Sequence, residues 1–267
     1  MKTIDLAKNI ITMLAFITGM NSYAADNSIY IDQSGSNATV TVTQDGAGNV
    51  VRGIQGVGSS NTTPSKIYGD GNQVTVNQVG SGNTLSMGLT TTNAVSPPVG
   101  ANTFSYSVTG NNATAVINSN SSGSGVSASN KIDITQSGNS ANANINVLGS
   151  KNSVTAVTSG GASNSVISTV NGDENTQNIS MTGGASNAAT ISQTGNKGTV
   201  TLTSVGASNT YNVSQAGGST NGHSAVIDVN GSSNTVGITQ AGTAADSIVN
   251  LKSVGSGNTF SINSNTH

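Results

Sequence analysis

The sequence predicts an all-β chain, a β-solenoid of about ten stacked strand–turn–strand coils, and three observations carry that expectation. Hydrophobic residues make up 33% of the 267 positions and aromatic residues 3%, too little to fill one large round core. A short unit of Asn, two apolar residues, Gln and Gly at alternate positions recurs along the chain. Amide and apolar residues also keep a common phase, which a disordered low-complexity chain would have no reason to maintain.

The N-terminus carries Lys2 and Lys8, the apolar run from Ile10 to Ile17, Gly19, and a short polar stretch ending Ser22, Tyr23, Ala24. This order of basic, apolar and small residues predicts a secretory signal peptide over residues 1–24, cleaved after Ala24. The apolar run is too short to span a bilayer, and nothing later in the chain reads as a membrane span. Residues 25–267 then form the repeat region.

Six copies of the unit are clearest. They are Asn27, Ile29, Ile31, Gln33, Gly35; Asn72, Val74, Val76, Gln78, Gly80; Asn130, Ile132, Ile134, Gln136, Gly138; Asn187, Ala189, Ile191, Gln193, Gly195; Asn209, Tyr211, Val213, Gln215, Gly217; and Asn234, Val236, Ile238, Gln240, Gly242. A spacing of two places all of these side chains on one face of a strand, with Ser, Thr, Asp and Lys facing water between them. Glycine then permits the positive φ of a tight turn. Units without Gln, such as Asn83 with Leu85 and Met87 or Asn258 with Phe260 and Ile262, lie between the copies, so two strands and two turns make a repeat of about 22 to 24 residues.

One such unit alone exposes too thin an apolar face to persist in water. Stacked at about 4.8 Å, the units form continuous apolar columns with paired backbones, and ten coils make a rod about 50 Å long. An unpaired buried amide costs on the order of 1–3 kcal/mol, so Asn and Gln are tolerable inside only if identical amides bond from coil to coil. The stacking ladder is therefore the expected assembly surface. Insertions near residues 59–66, 88–101 and 118–129, marked by Pro64, by Pro97 and Pro98, and by a Ser/Gly run, are expected to bulge as loops. Five half-steps are counted from Asn130 to Asn187, so the Gln phase changes sides: either a half-repeat is gained, or the stretch from Asn142 to Asn164 reads differently, and the strand phase between Asn142 and Asn187 stays open.

Several function classes fit poorly. Eight Lys and Arg against 10 Asp and Glu leave no basic patch for nucleic acid. The absence of cysteine removes disulfides, thiolate nucleophiles and Cys-ligated metal. His223 is read as a turn residue after Asn221 and Gly222, and His267 is the last residue, so no catalytic histidine is expected. Asp173 and Glu174 form the one adjacent acid pair, in a Gly-flanked turn, too few oxygens for calcium and without an opposed carboxylate for glycoside hydrolysis. The stretch Gly69, Asp70, Gly71, Asn72 does not recur as calcium-binding nonapeptides must, and Gly183 and Gly184 precede no helix that could cradle phosphate. The expectation is a non-enzymatic chain with no catalytic, cofactor or metal residues.

The units resemble curlin repeats, the building blocks of curli fibre subunits in bacterial biofilms. The family pattern runs Ser, five residues, Gln, then Gly-x-Gly-Asn, Ala and a second Gln. The stretch from Asn27 through Gln33, Gly35, Asn37 and Ala38 to Gln44 is similar to it, with Asn27 in the Ser position and one turn residue fewer. Asn72, Gln78, Gly80, Gly82 and Asn83 match the first half without deletion. The likeness covers nearly all of the chain after the leader. It implies an extracellular amyloid-like fibre made of this chain itself, a nucleator subunit, an outer-membrane export pore, and a role in biofilm matrix and adhesion. A monomeric β-solenoid adhesin, or an ice- or surface-binding protein using the Thr rows at 39, 41, 43 and 199, 201, 203, is the alternative.

Overall fold

Strand follows turn follows strand throughout the computed structural model, which describes residues 26–55, 62–93, 102–123, 129–218 and 220–266 and the backbone of residues 12–17. Successive strands alternate between two parallel sheets. The first sheet stacks Thr12–Ile17, Thr39–Asp45, Gln73–Val79, Thr103–Thr109, Lys131–Ser137, Ser153–Ser159, Thr176–Thr182, Thr199–Val205, Ser224–Asn230 and Ile248–Val254, in that order. The second stacks Ser28–Ile29 with Ile31–Ser34, Val50–Arg52 with Ser65–Tyr68, then Thr84–Asn93, Thr114–Gly123, Asn142–Leu148, Ser165–Asn171, Ala188–Thr194, Thr210–Gly217, Thr235–Gly242 and Thr259–Asn265. This is a β-solenoid of about nine turns. Parallel neighbours need a long crossover, and here the strand on the opposite wall supplies it.

Register never slips in phase. Ser153 pairs with Thr176, an offset of 23 residues, and Thr199 with Ser224, an offset of 25. Towards the N-terminus the offsets widen to 34 between Thr39 and Gln73 and to 30 between Gln73 and Thr103, which accommodates the insertions while the faces stay in step. A shift of one residue would turn every inward side chain to solvent, so the apolar columns hold the register.

Those columns form the core. Val74, Val76, Ile132, Ile134, Ile191, Val213, Val236 and Ile238 are all buried, each contributing roughly 1.5–3 kcal/mol. Bulk is matched across the walls: Phe104 and Tyr106 share their coil with Ala113 and Ala115, and Ala141 and Ala143 follow in the next. The narrow interior holds its density by placing small residues where rings intrude. Ile29, Ile31, Phe260 and Ile262 pack against the core but are only partly buried.

The corners are close approaches of backbone to backbone. At Gly172 φ is +138°, and a Cβ there would lie 2.0 Å from the carbonyl oxygen of Gly195 one coil on. Two residues after many of these glycines a second residue takes a left-handed φ, Asn112, Ser140, Lys151, Glu174 and Lys197 among them.

The insertions are shorter than the sequence suggests. The strand Ser65–Tyr68 begins inside the loop expected near 59–66, and Thr84–Asn93 and Thr114–Gly123 continue into the regions expected to bulge. The reason is a lateral extension of the second sheet, in which Ile31–Ser34 pairs with Ser65–Tyr68 and Lys66, Ile67 and Tyr68 with Gly88, Leu89 and Thr90. Residues 56–61, 94–101 and 124–128 lie outside the described residues. So does most of the predicted leader, although the backbone of Thr12–Ile17 pairs with Thr39–Gln44 at the end of the first sheet.

Candidate functional site

Each strand is entered through one inward position that precedes its first residue, and here the Asn residues align. In the first sheet Asn72, Asn102, Asn130, Asn152 and Asn175 form a column; in the second, Asn164, Asn187, Asn209, Asn234 and Asn258 do, with Asn27, Asn49 and Asn83 further up. Within the column Asn187 Oδ1 accepts the backbone N–H of Asn209 at 3.0 Å, and Asn187 Nδ2 donates to the corner carbonyl of Gly206 at 2.8 Å. The same pair of bonds recurs at Asn152, whose Oδ1 takes the N–H of Asn175 at 2.9 Å and whose Nδ2 reaches Gly172 O at 2.7 Å. Amide-to-amide bonds run alongside, from Asn209 Nδ2 to Asn187 Oδ1 and from Asn234 Nδ2 to Asn209 Oδ1. These amides bond from coil to coil and also serve backbone groups that the sequence pattern does not reveal: Asn152 and Asn187 each hold the corner carbonyl and the strand-entry N–H of the following coil.

The Gln columns are shorter. Gln44 Nε2 donates to Gln78 Oε1 at 2.8 Å in the first sheet, and in the second Gln193 donates to Gln215 and Gln215 to Gln240, both at 2.8 Å. Gln33 is half-buried and donates to Gly35 O instead, because Ile67 lies opposite it in register. Of the two readings open between Asn130 and Asn187, the structure has the change of side: Gln136 belongs to the first sheet and Gln193 to the second. At that exchange Gln136 Nε2, Gln177 Nε2 and Thr158 Oγ1 are buried without a hydrogen-bond partner among the described residues.

Tyr106 meets the column from the side, donating its hydroxyl to Gln136 Oε1 at 2.9 Å. Burial pushes its phenol well above the ordinary tyrosine range, and burial pushes Tyr211 the same way. Only the folded state disfavours the phenolate, so stability is intact below the unfolded value of about 10 and declines as pH rises past it. Removing both hydroxyls, Y106F with Y211F, is expected to flatten that alkaline decline and to cost about 1 kcal/mol per lost hydrogen bond at neutral pH. Urea midpoints at neutral pH and near pH 11 check this, and an undiminished alkaline loss in the double variant would refute it.

His223 corrects a sequence expectation. It is not a turn residue; it occupies the entry position of Ser224–Asn230, buried, in the column that carries Asn175 two coils earlier. Its phase with Ala225, Ile227, Val229 and Gly231 signals the unit with His in place of Asn. Asp173 does lie at a corner, its Oδ1 accepting Ser150 N–H at 2.6 Å, and Glu174 pairs with Lys151 at 3.1 Å. Among the described residues no three His, Cys, Asp or Glu side chains gather as a metal set, and no helix is long and apolar enough to cross a membrane.

The two Thr rows fall on the outer face of the first sheet but on strands separated by five others. The column through Thr41 and Thr201 passes Asp133 and Asn178, so no continuous Thr array exists there. No family model, curated protein or solved structure matches the chain.

Proposed function

We propose that the chain is a secreted, non-enzymatic structural subunit that stacks copy upon copy into extracellular amyloid-like fibres of the curli type, supporting a biofilm matrix and adhesion. The supporting observation is the interchangeability of the coils: strand register, amide columns and corner glycines repeat so closely that each coil is a template for the next. The edge strand Thr259–Asn265 turns half-buried Phe260 and Ile262 inward in the same pattern, ready to be covered by a coil of a second copy. Charged residues make up only 7% of the chain and the formal net charge is −2, so little repulsion opposes association of identical chains. A nucleator subunit and an outer-membrane export pore belong to this reading as partners.

The test is direct. Purified chain lacking residues 1–24 is expected to form thioflavin-positive fibres whose diffraction shows a meridional spacing of about 4.7–4.8 Å. A chain that stays monomeric by sedimentation for days at high concentration would sink the proposal.

A further inference from the structure

Beyond Asn175 the ladder of the first sheet changes chemistry: Gly198, His223 and Ser247 take the successive entry positions. His223 is 1% exposed. Its Nδ1 accepts the backbone N–H of Ser247 at 3.1 Å and lies 3.1 Å from Ser247 Oγ, while its Nε2 lies 3.2 Å from the carbonyl oxygen of Ala216. Ser247 Oγ in turn accepts from Gln240 Nε2 at 2.9 Å. These bonds close only for a neutral ring with its proton on Nε2: Ala216 O takes that proton, and the Nδ1 lone pair serves Ser247 as an Asn Oδ1 would. A second proton on Nδ1 would face the N–H of Ser247, turning an attraction into a repulsion inside the core.

We infer that His223 is an acid-sensitive latch, whose protonation frees the strand Ile248–Val254 from Ser224–Asn230, while the second-sheet joint through Asn234 and Asn258 and the other coils stay closed. The entry positions of those other coils carry residues that do not titrate, so the effect is confined to this joint.

The groups around the ring are few. Asp246 lies in the turn before Ser247, its carboxylate accepting the N–H groups of Thr220, Asn221 and Gly222 at 3.2, 2.8 and 3.1 Å. Lys197, before Thr199–Val205, donates to Thr220 O at 3.2 Å. Tyr211 on the opposite wall donates to Ser204 Oγ, and Thr235–Gly242 carries no titratable side chain. Asp228 and Lys252 pair at 4.0 Å on the outer face of the sheet. Protonation of Asp246 would also loosen this corner, so the test separates the two.

Amide hydrogen exchange of the full chain, corrected for intrinsic rates, is compared at neutral pH and at about pH 5. Protection of Val249, Leu251 and Ser253 is expected to fall about tenfold at the lower pH, with that of Val154 and Ile179 unchanged. The variant H223N, which restores the residue used in the other coils, keeps neutral protection and loses the acid step; D246N retains the step. Should H223N fold poorly, H223S, carrying the residue found one coil later, replaces it. Equal protection of the unsubstituted chain at both pH values overturns the inference. So does an acid step that survives in H223N or H223S, or imidazole protonation seen by NMR without loss of protection.

Discussion

Alanine at Gly172 is expected to lower stability by about 3 kcal/mol or more. Two costs add. The backbone sits at φ +138°, outside the regions an L side chain adopts readily, and the new Cβ would fall 2.0 Å from Gly195 O and 2.7 Å from its carbonyl carbon. Backbone cannot swing aside as a side chain could, because Gly195 N–H is itself bonded to Asn171 O at 2.9 Å and Lys197 N–H to Asp173 O at 2.9 Å. Relief requires the two coils to separate locally, breaking the bond from Asn175 Nδ2 to Gly195 O at 2.8 Å. Urea unfolding compares this variant with G257A, where no atom lies within 4 Å and only the left-handed φ of +74° is strained. Equal midpoints for the two would show that corner stacking carries no weight.

Leucine at Asn187 is the second substitution with a large expected effect. Its volume is similar, yet the amide serves five contacts: Oδ1 accepts from the backbone and side chain of Asn209, and Nδ2 donates to Gly206 O, Asn164 Oδ1 and Gly184 O. Removing it leaves the buried N–H of Asn209 and a corner carbonyl short of partners, at about 1–3 kcal/mol each, so a loss of about 3–5 kcal/mol is expected. The apolar gain offsets little, since the site is already closed to water. The same swap at Asn258 is expected to cost about half as much or less, because that residue is half-buried and no backbone N–H of a following described coil depends on it. Thermal or urea midpoints of the two variants give the comparison, and equal losses would contradict a ladder that acts coil upon coil.

Much of this arrangement is readable from the chain alone, for a physical reason. A solenoid coil is specified locally: the alternation of Asn130, Ile132, Ile134 and Gln136 sets one face, Gly138 sets the turn, and the next coil repeats the instruction. Counting half-steps raises the transfer of Gln from one wall to the other without deciding it, because the units between Asn142 and Asn164 carry no Gln to mark the wall. What escapes is non-local or lies in a substitution of type. The strand Ser65–Tyr68 forms only because Ile31–Ser34 and the extension of Thr84–Asn93 offer it two edges, and nothing within four residues after Pro64 announces that. His223 escapes because Asn221 and Gly222 read as the end of a turn, although its phase with Ala225 and Ile227 places it inside. The backbone bonds of the Asn columns are likewise invisible in sequence, since they depend on the rise of one coil bringing Oδ1 over the next strand entry.

Strands that lie across the long axis also dictate how the molecule yields to force. Tension applied between its two ends meets no sheet that must shear as a block; it peels the outermost coil, strand by strand, as a thread leaves a spool. With 23 residues between Ser153 and its partner Thr176, each coil that comes away lengthens the chain by about 75 Å. Stretching a tethered molecule should therefore give a train of similar small yields, each returning when the load is eased, and so an extensible cable that remembers its shape.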